Sequence, residues 1–488
     1  MERRATKKTW QKAVIVLTGL GLVASACGDG GGDGSARPAR AEAEPSAGTW
    51  KTWVLSSPTE IPVPPPPARG SAEEKAEDQE IKDLAAKRTP EVKDIVRKWA
   101  AEGSPVSTPW VNMNLEFVAA REKDPPLSSR GYALMSVAVY DAVVATWHYK
   151  YEYNRKAPDV GERLVEPGPD PSYPSEHAAI AGAAARVLAY LFPERPALRL
   201  DEAADQAADS RVQAGVNRRS DVEAGLDLGH KVAEKVIAYA EADGSARPCN
   251  KKVPGPAPRY WAPPPGSVAN PVQPCAGEWK TWVMTAGNQF RPPPPPAFGS
   301  PEFLAQAREA VAVQKALTDE QKKAATFWAG GQGTPLPAGV WMNVLLAYLR
   351  DELPSEPKSE RTLALAAVAM SDAGVAAWDA KFAYWDPRPQ NGVRDSGVDR
   401  NWVPFIDTPF FPSYISGHAT YSGAAAEVLS YLFPEDAADF RAKAQEASDS
   451  RLWGGIHWRA DNEVGLAVGK RVGQLVIERA RTDGGGTG

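Results

Sequence analysis

The chain has little cysteine, little net charge and little of the apolar–polar alternation that marks strands. Three Cys in 488 residues are too few for a disulfide-dense scaffold. A net charge of -5 offers no basic excess for nucleic acid, so no nucleic-acid partner is expected. Beyond the N-terminus no apolar run reaches about 18 residues, so no second membrane span is expected. The scarcity of strand signals leaves an all-α fold as the expected class. What is abundant is proline: 45 residues, clustered at 62–67 and 292–296.

The N-terminus reads as a targeting segment. Arg3, Arg4, Lys7, Lys8 and Lys12 precede an apolar run over 13–23. Ala24-Ser25-Ala26-Cys27 follows, and then a stretch rich in Gly and Asp. Small residues before a Cys resemble a bacterial lipoprotein box, although Ala24 stands where a Leu is usual. The expectation is a signal peptide over 1–26, lipidation of Cys27 and a flexible tether over 27–48. The protein would then be extracytoplasmic and anchored to the membrane only by lipid. Cleavage near Ala26 and secretion is the alternative. Cys249 and Cys275 remain, and in an oxidising compartment they can pair. Such a loop would contribute about 3–4 kcal/mol in the chain-entropy model.

The sequence repeats itself once. Residues 171–194 and 412–435 agree at 17 of 24 positions. Trp50-Lys51-Thr52-Trp53 recurs as Trp279-Lys280-Thr281-Trp282, and Asp209-Ser210-Arg211 recurs as Asp449-Ser450-Arg451. Helical signals dominate each copy. Val464, Val468, Val472, Leu475 and Val476 fall on one helical face, and 361–384 and 419–432 read as helices. The expected architecture is two helical bundles: an N-terminal repeat over 49–245, a Pro-rich connection over 246–276, and a C-terminal repeat over 277–488.

Three fragments of the second copy carry the chemistry. They are Lys381 followed by Arg388-Pro389, then Ser416-Gly417-His418, then Ser450-Arg451 with His457 and Asp461. Together they supply three cations, two imidazoles, a hydroxyl and a backbone amide, a set that suits a tetrahedral oxyanion such as phosphate or vanadate. The first copy keeps Lys150, Ser175, His177, Arg211 and Asp221. It has Ala157 for Arg388, Glu176 for Gly417 and Asn217 for His457. A lost cation, an added carboxylate and a lost imidazole predict a dead first site.

These motifs, in this order, resemble the family that joins vanadium-dependent haloperoxidases to type 2 phosphatidic acid phosphatases and bacterial acid phosphatases. The resemblance is concentrated over about 381–461, and a wider two-bundle likeness to the vanadium chloroperoxidases covers most of the chain. It implies that His457 bonds vanadium or attacks phosphorus, with Asp461 fixing its tautomer. His418 is the implied acid–base group. Lys381, Arg388, Arg451, Ser416 and the Gly417 amide are the implied oxyanion donors. Trp378 and Phe411 fall where the chloroperoxidases place halide-pocket aromatics. Trp378 matches Trp147 of the first copy and Phe411 faces Asp170 there, so Phe411 is the more site-specific of the two. Near Phe327-Trp328-Ala329 the peroxidases often carry an Asp that supports a vanadate-binding arginine. This chain has Gly330-Gly331 instead.

The expected activity is haloperoxidation with vanadate as cofactor, acting on hydrogen peroxide and halide. Phosphate-ester hydrolysis through a phosphohistidine, without a metal, is the alternative. A non-catalytic oxyanion-binding lipoprotein is a third reading. The location makes its own prediction. Cys27→Ala should release the folded protein from membranes, because one acyl chain alone binds only marginally and stable anchoring needs several. Equal membrane retention of this variant on fractionation would remove the lipoprotein assignment.

Overall fold

The structure is a computed structural model that describes residues 43–121, 124–195, 199–264, 266, 270–352 and 354–486. The expected signal peptide, Cys27 and the tether up to residue 42 lie outside the described residues. The last part of that tether departs from expectation. Pro45–Thr49 is a short 3-10 helix with Ala47 and Gly48 buried. A Cβ on Gly48 would lie 2.4 Å from the His148 backbone nitrogen. The chain here is packed because Gly48 lets two backbones meet.

The described residues form α-helices and short 3-10 turns, with no strand among them. The first half holds α1 (Ala72–Ala86), α2 (Pro90–Ala100), α3 (Thr108–Arg121), α4 (Pro125–Tyr153), α5 (Glu176–Leu191), α6 (Leu200–Ala214) and α7 (Arg219–Glu241). The second holds α8 (Pro301–Lys315), α9 (Asp319–Phe327), α10 (Leu336–Glu352), α11 (Glu356–Tyr384), α12 (Pro389–Asp395), α13 (Gly417–Leu432), α14 (Ala437–Trp453) and α15 (Arg459–Ala480).

α4 and α11 are 29 residues each and buried on nearly every side. A helix without a polar face must be covered all round. They cover each other, so the two bundles share one apolar core. α11 contains an 18-residue window of mean hydropathy 1.3, apolar enough to cross a membrane, yet that window is wholly buried in the fold. The sequence reading passed over it because Asp372 and Asp379 interrupt the run. Asp372 has a structural task. Its carboxylate accepts the N–H groups of Trp282, Val283 and Met284 at 2.9–3.1 Å. Asp141 of α4 does the same for Trp53, Val54 and Leu55 at 2.8–3.0 Å. These are the segments whose Trp-Lys-Thr-Trp motif occurs twice. The Pro-rich connection is stapled by a disulfide between Cys249 and Cys275, whose Cα atoms lie 5.7 Å apart.

What positions the site is the contact of α13 with α15. Gly465 and Gly469 of α15 face the α13 backbone. A Cβ at Gly469 would lie 2.1 Å from the Thr420 carbonyl oxygen, and one at Gly465 would lie 2.8 Å from that of Ser416. Without side chains between them, the two helices start side by side, and the Ser416 N–H donates to the Asp461 carbonyl at 3.0 Å. α5 and α7 repeat the device with Gly225 and Gly229 against Ser175 and Ala179. Gly469→Ala should therefore cost at least about 1–3 kcal/mol, the usual range for overpacking, and separate the two helix starts. Thermal unfolding checks this, and an unchanged Tm would show that the helices have room to spare.

Candidate active site

Each sequence-predicted residue of the second copy reaches one buried place, by a different element. Lys381 stands in the last turn of α11. Arg388 is the N-cap of α12. Ser416 is the N-cap of α13, where its hydroxyl accepts the Ala419 N–H, and Gly417 and His418 open that helix. Arg451 lies in the last turn of α14. His457 sits just before Trp458, the N-cap of α15, and Asp461 is the third residue of its first turn. The N-termini of α12, α13 and α15 thus converge on the site, and each leaves its first N–H groups without an intrahelical acceptor.

The three cations are almost fully enclosed, at 0–1% exposure. Arg388 gives Nε to the Phe411 carbonyl and Nη1 to that of Ile456, both at 2.7 Å. Arg451 gives Nη2 to the Ala325 carbonyl at 2.9 Å and Nε to the Ser450 hydroxyl at 3.0 Å. Arg388 Nη2 and Arg451 Nη1 are buried without a partner. Buried donors without acceptors are costly, and these two supply what an oxyanion needs. Burial pushes both guanidinium groups down to about 9.

Lys381 differs from expectation. Its three N–H groups go to the carbonyls of Pro412, Ser413 and Ile415 at 3.0, 2.8 and 2.6 Å. An ammonium has only three protons. In this structure Lys381 therefore clamps the loop before α13 and adds its charge to the site, with no donor left over for an oxyanion. Burial, and then Arg388, push it well below an ordinary lysine.

The two histidines are set for different work. His457 Nδ1 lies 2.9 Å from Asp461 Oδ2, and Nε2 lies 2.9 Å from Arg388 Nη1. A carboxylate and a guanidinium on opposite sides fix the tautomer: Nδ1 carries the proton and Nε2 keeps its lone pair. Arg388 occupies that lone pair here, so its side chain has to turn aside before Nε2 can meet an oxyanion. Asp461 also accepts the Trp458 N–H at 3.3 Å, so the helix cap and the histidine clamp are one carboxylate. His418 Nε2 donates to the Ala329 carbonyl at 3.2 Å, which leaves Nδ1 as its free base. Burial pushes both imidazoles well below the usual histidine value, with Arg388 the next cause at His457 and Arg451 at His418. Burial raises Asp461 to about 6, against the Ser413 hydrogen bond and the Lys381 charge.

Trp378 and Phe411 meet as a tilted pair that floors the site, with ring centroids 4.9 Å apart and planes at 48°. Lys381 Nζ lies 5.3 Å and the Arg388 guanidinium 4.8 Å from the Phe411 ring. Trp378 Nε1 donates to the Val272 carbonyl at 3.0 Å, so the disulfide-closed connection forms one wall. No motif in the sequence signalled that wall.

Asp386 was also missed. It is buried, with Oδ2 unpartnered, and burial followed by the Asp461 charge pushes it well above the carboxylate range. Its one sequence signal was that Arg155 stands at its place in the first copy.

Where the family often has an Asp for its arginine, Gly330 has φ +53°, and a Cβ there would come within 3.3 Å of His418 Nε2. The same Cβ would lie 3.1 Å from Pro337, a tight fit on both sides, and Arg451 takes the Ala325 backbone carbonyl at 2.9 Å.

In the first copy the counterpart of Lys381 is paired with a carboxylate. Glu176 Oε2 lies 2.8 Å from Lys150 Nζ. Burial would raise this carboxyl, but Lys150 and then His177 outweigh it and hold it well below the carboxylate range. Asn217 Nδ2 donates to the Ser172 carbonyl at 2.9 Å, and Asp221 pairs with Arg155 at 2.7 Å. A carboxylate of the protein itself thus stands where the second copy has the Gly417 amide, and it cancels the Lys150 charge.

Comparison with known proteins agrees with this geometry. Residues 361–444 and 437–484 match the family model of the VCPO second helical-bundle domain. Vanadium chloroperoxidase of Curvularia inaequalis is 40% identical over 85 residues, and the match spans 14% of that protein's length and 14% of this chain. The crystal structure of a bacterial vanadium-dependent iodoperoxidase superposes with a TM-score of 0.63 at 25% identity, covering 76% of this chain and 95% of that one. A holo-type bacterial vanadium-dependent chloroperoxidase has a TM-score of 0.55 at 14% identity, over 80% and 96% of the two chains, and shares the fold. Residues 361–484 thus match a VCPO helical-bundle domain, and the fold of the chain is that of the bacterial vanadium-dependent peroxidases.

The depressed imidazoles make a prediction. In the oxyanion-free protein His457 and His418 should both be neutral at pH 6.5, where an ordinary histidine is half protonated. Site-resolved 15N NMR titration checks this, and an imidazolium signal from either residue at that pH would contradict the burial argument.

Proposed function

We propose that this protein is a vanadium-dependent haloperoxidase that oxidises halide with hydrogen peroxide. The observation that carries the proposal is the pair of unpartnered buried guanidinium nitrogens, on Arg388 and Arg451, beside a neutral His457. Such a set fits a multiply charged oxyanion and a nitrogen donor to its central atom. Arg388, Arg451 and the N-terminal amides of α13 would hold the vanadate oxygens. His457 Nε2 would contact the vanadium. Bound there, vanadate would supply a redox-inert Lewis acid that activates hydrogen peroxide. Asp461 keeps the proton on the far nitrogen of His457. His418 is the base within the same enclosure and can take or return a proton. The aromatic floor of Trp378 and Phe411 sheds water from the place where halide would enter. The iodoperoxidase likeness over most of both chains supports the peroxidase choice.

A phosphatase reading rests on the same residues, since a neutral His457 with its lone pair on Nε2 is equally the nucleophile of a phosphohistidine mechanism. The missing carboxylate behind Arg451 favours it, because the peroxidases often place an Asp there. An oxyanion-binding protein without turnover is the remaining possibility, and the same assays address it.

The mature protein reconstituted with orthovanadate should oxidise bromide or iodide. Cleavage of p-nitrophenyl phosphate without halide oxidation would establish the phosphatase instead, and tight phosphate binding with neither activity would leave a binding protein. His457→Ala should abolish turnover. Arg388→Ala should weaken oxyanion binding about ten- to a hundredfold, the usual worth of a charge-assisted hydrogen bond. Asn217→His should create no second site, because Ala157 leaves the place of Arg388 without a cation and Glu176 burdens the pocket with a carboxylate. Wild-type-like activity of His457→Ala would move the chemistry elsewhere.

A further inference from the structure

Asp461 has an acceptor's duty to His457, but a carboxylate can rotate, and something must stop it. In the first copy the matching Asp221 is held by Arg155 at 2.7 Å and also by the hydroxyl of Ser172, the counterpart of Ser413. In the second copy Asp386 stands at the place of Arg155, and among the described residues no Arg or Lys pairs with Asp461. The shortest bond to that carboxylate comes from Ser413, whose hydroxyl donates to Oδ2 at 2.5 Å. The same hydroxyl oxygen lies 3.4 Å from His457 Nδ1. Ser413 is fully buried and fixed by its own backbone. Its N–H donates to the Asp386 carbonyl at 3.0 Å, and its carbonyl accepts Lys381 Nζ at 2.8 Å.

We propose that Ser413 is a positioning residue of this site: its hydroxyl fixes Asp461 Oδ2, so that His457 holds its proton on Nδ1 and presents Nε2 to the oxyanion. This deepens the function proposed above and rests on it. The side chain is held from four directions, by Asp461 and His457 through its hydroxyl and by Asp386 and Lys381 through its backbone. Both copies have the serine, but the second has Asp386 where the first has Arg155. An Arg here would neutralise Asp461 and add a further positive charge beside His457, whereas a serine O–H aligns the carboxylate and leaves its charge for the imidazole. Lys381, which has no donor left for the ligand, then acts through the same residue by holding the Ser413 carbonyl.

The test uses the vanadium-free full-length protein with 15N-labelled histidine, and orthophosphate and orthovanadate as probes. The chain has only five His, so the ring-nitrogen spectrum is sparse. Wild type should show His457 as one Nδ1–H tautomer. Ser413→Ala should broaden that signal into a mixture of tautomers and weaken orthophosphate binding about tenfold, as second-shell changes commonly do. Ser413→Cys, close in size and a weak donor, should do the same and serves where the Ala variant is unstable. In an Asp461→Asn background the Ser413 change should have no further effect, because the residue acts through Asp461. An unaltered tautomer signal in both Ser413 variants would overturn the proposal. So would an equal loss of binding with and without Asp461. If wild type binds neither anion, the oxyanion reading itself fails, while the tautomer signal still decides the role of Ser413.

Discussion

Three cations are buried within one small space, and only two carboxyls, both themselves weakened by burial, stand near them. That constraint organises the rest of the site. Lys381, Arg388 and Arg451 spend their donors on main-chain carbonyls of 325, 411–415 and 456. Carbonyl dipoles satisfy hydrogen bonds without cancelling charge, so the positive potential survives the burial. A protein that only needed stability would have paired these groups with carboxylates, as the first copy does with Lys150 and Glu176. The cost of leaving them uncompensated would be recovered on binding an anion, which is the receptor role proposed for the pocket.

The fold supplies the rigidity that such a site requires. α11 carries Lys381 and is covered on all sides, largely by α4, its counterpart in the first copy. Glycines at 465 and 469 bring the starts of α13 and α15 together, and with them His418 and His457. The first copy completes the core against which the second bundle is built. The self-contact of Arg388 with His457 adds a second point. In the unliganded protein the nucleophilic nitrogen is capped by a cation that the ligand also needs, so binding must exchange one hydrogen bond for another. Such an exchange carries little net penalty in a buried place, where a bare lone pair would be unfavourable.

Much of this was legible in the sequence. The spacing of Lys381, Arg388, Ser416, His418, Arg451 and His457 identified the groups that meet, and the duplication showed which copy had lost them. The helical class followed from periodicity and Ala-rich runs. Three things were not legible. Asp386 carries no motif, and its importance comes from a proline-bounded turn that buries it. The donors of Lys381 are consumed by carbonyls, which no side-chain pattern records. Residues 45–48 read as tether because Gly and Ala are usual in tethers, yet Gly48 serves a close backbone contact. In each case the deciding partner is main chain, and sequence patterns speak mostly of side chains.

The central claim is that one oxyanion binds per chain, between Arg388, Arg451 and His457. A crystal structure of the protein grown with orthovanadate tests it most directly. The account predicts a single tetrahedral or five-coordinate density there, with the Arg388 side chain turned away from His457 Nε2 and the Lys150–Glu176 pair of the first copy intact. Density beside Lys150, or an empty second-copy site with the Arg388–His457 hydrogen bond unchanged at saturating vanadate, would contradict it.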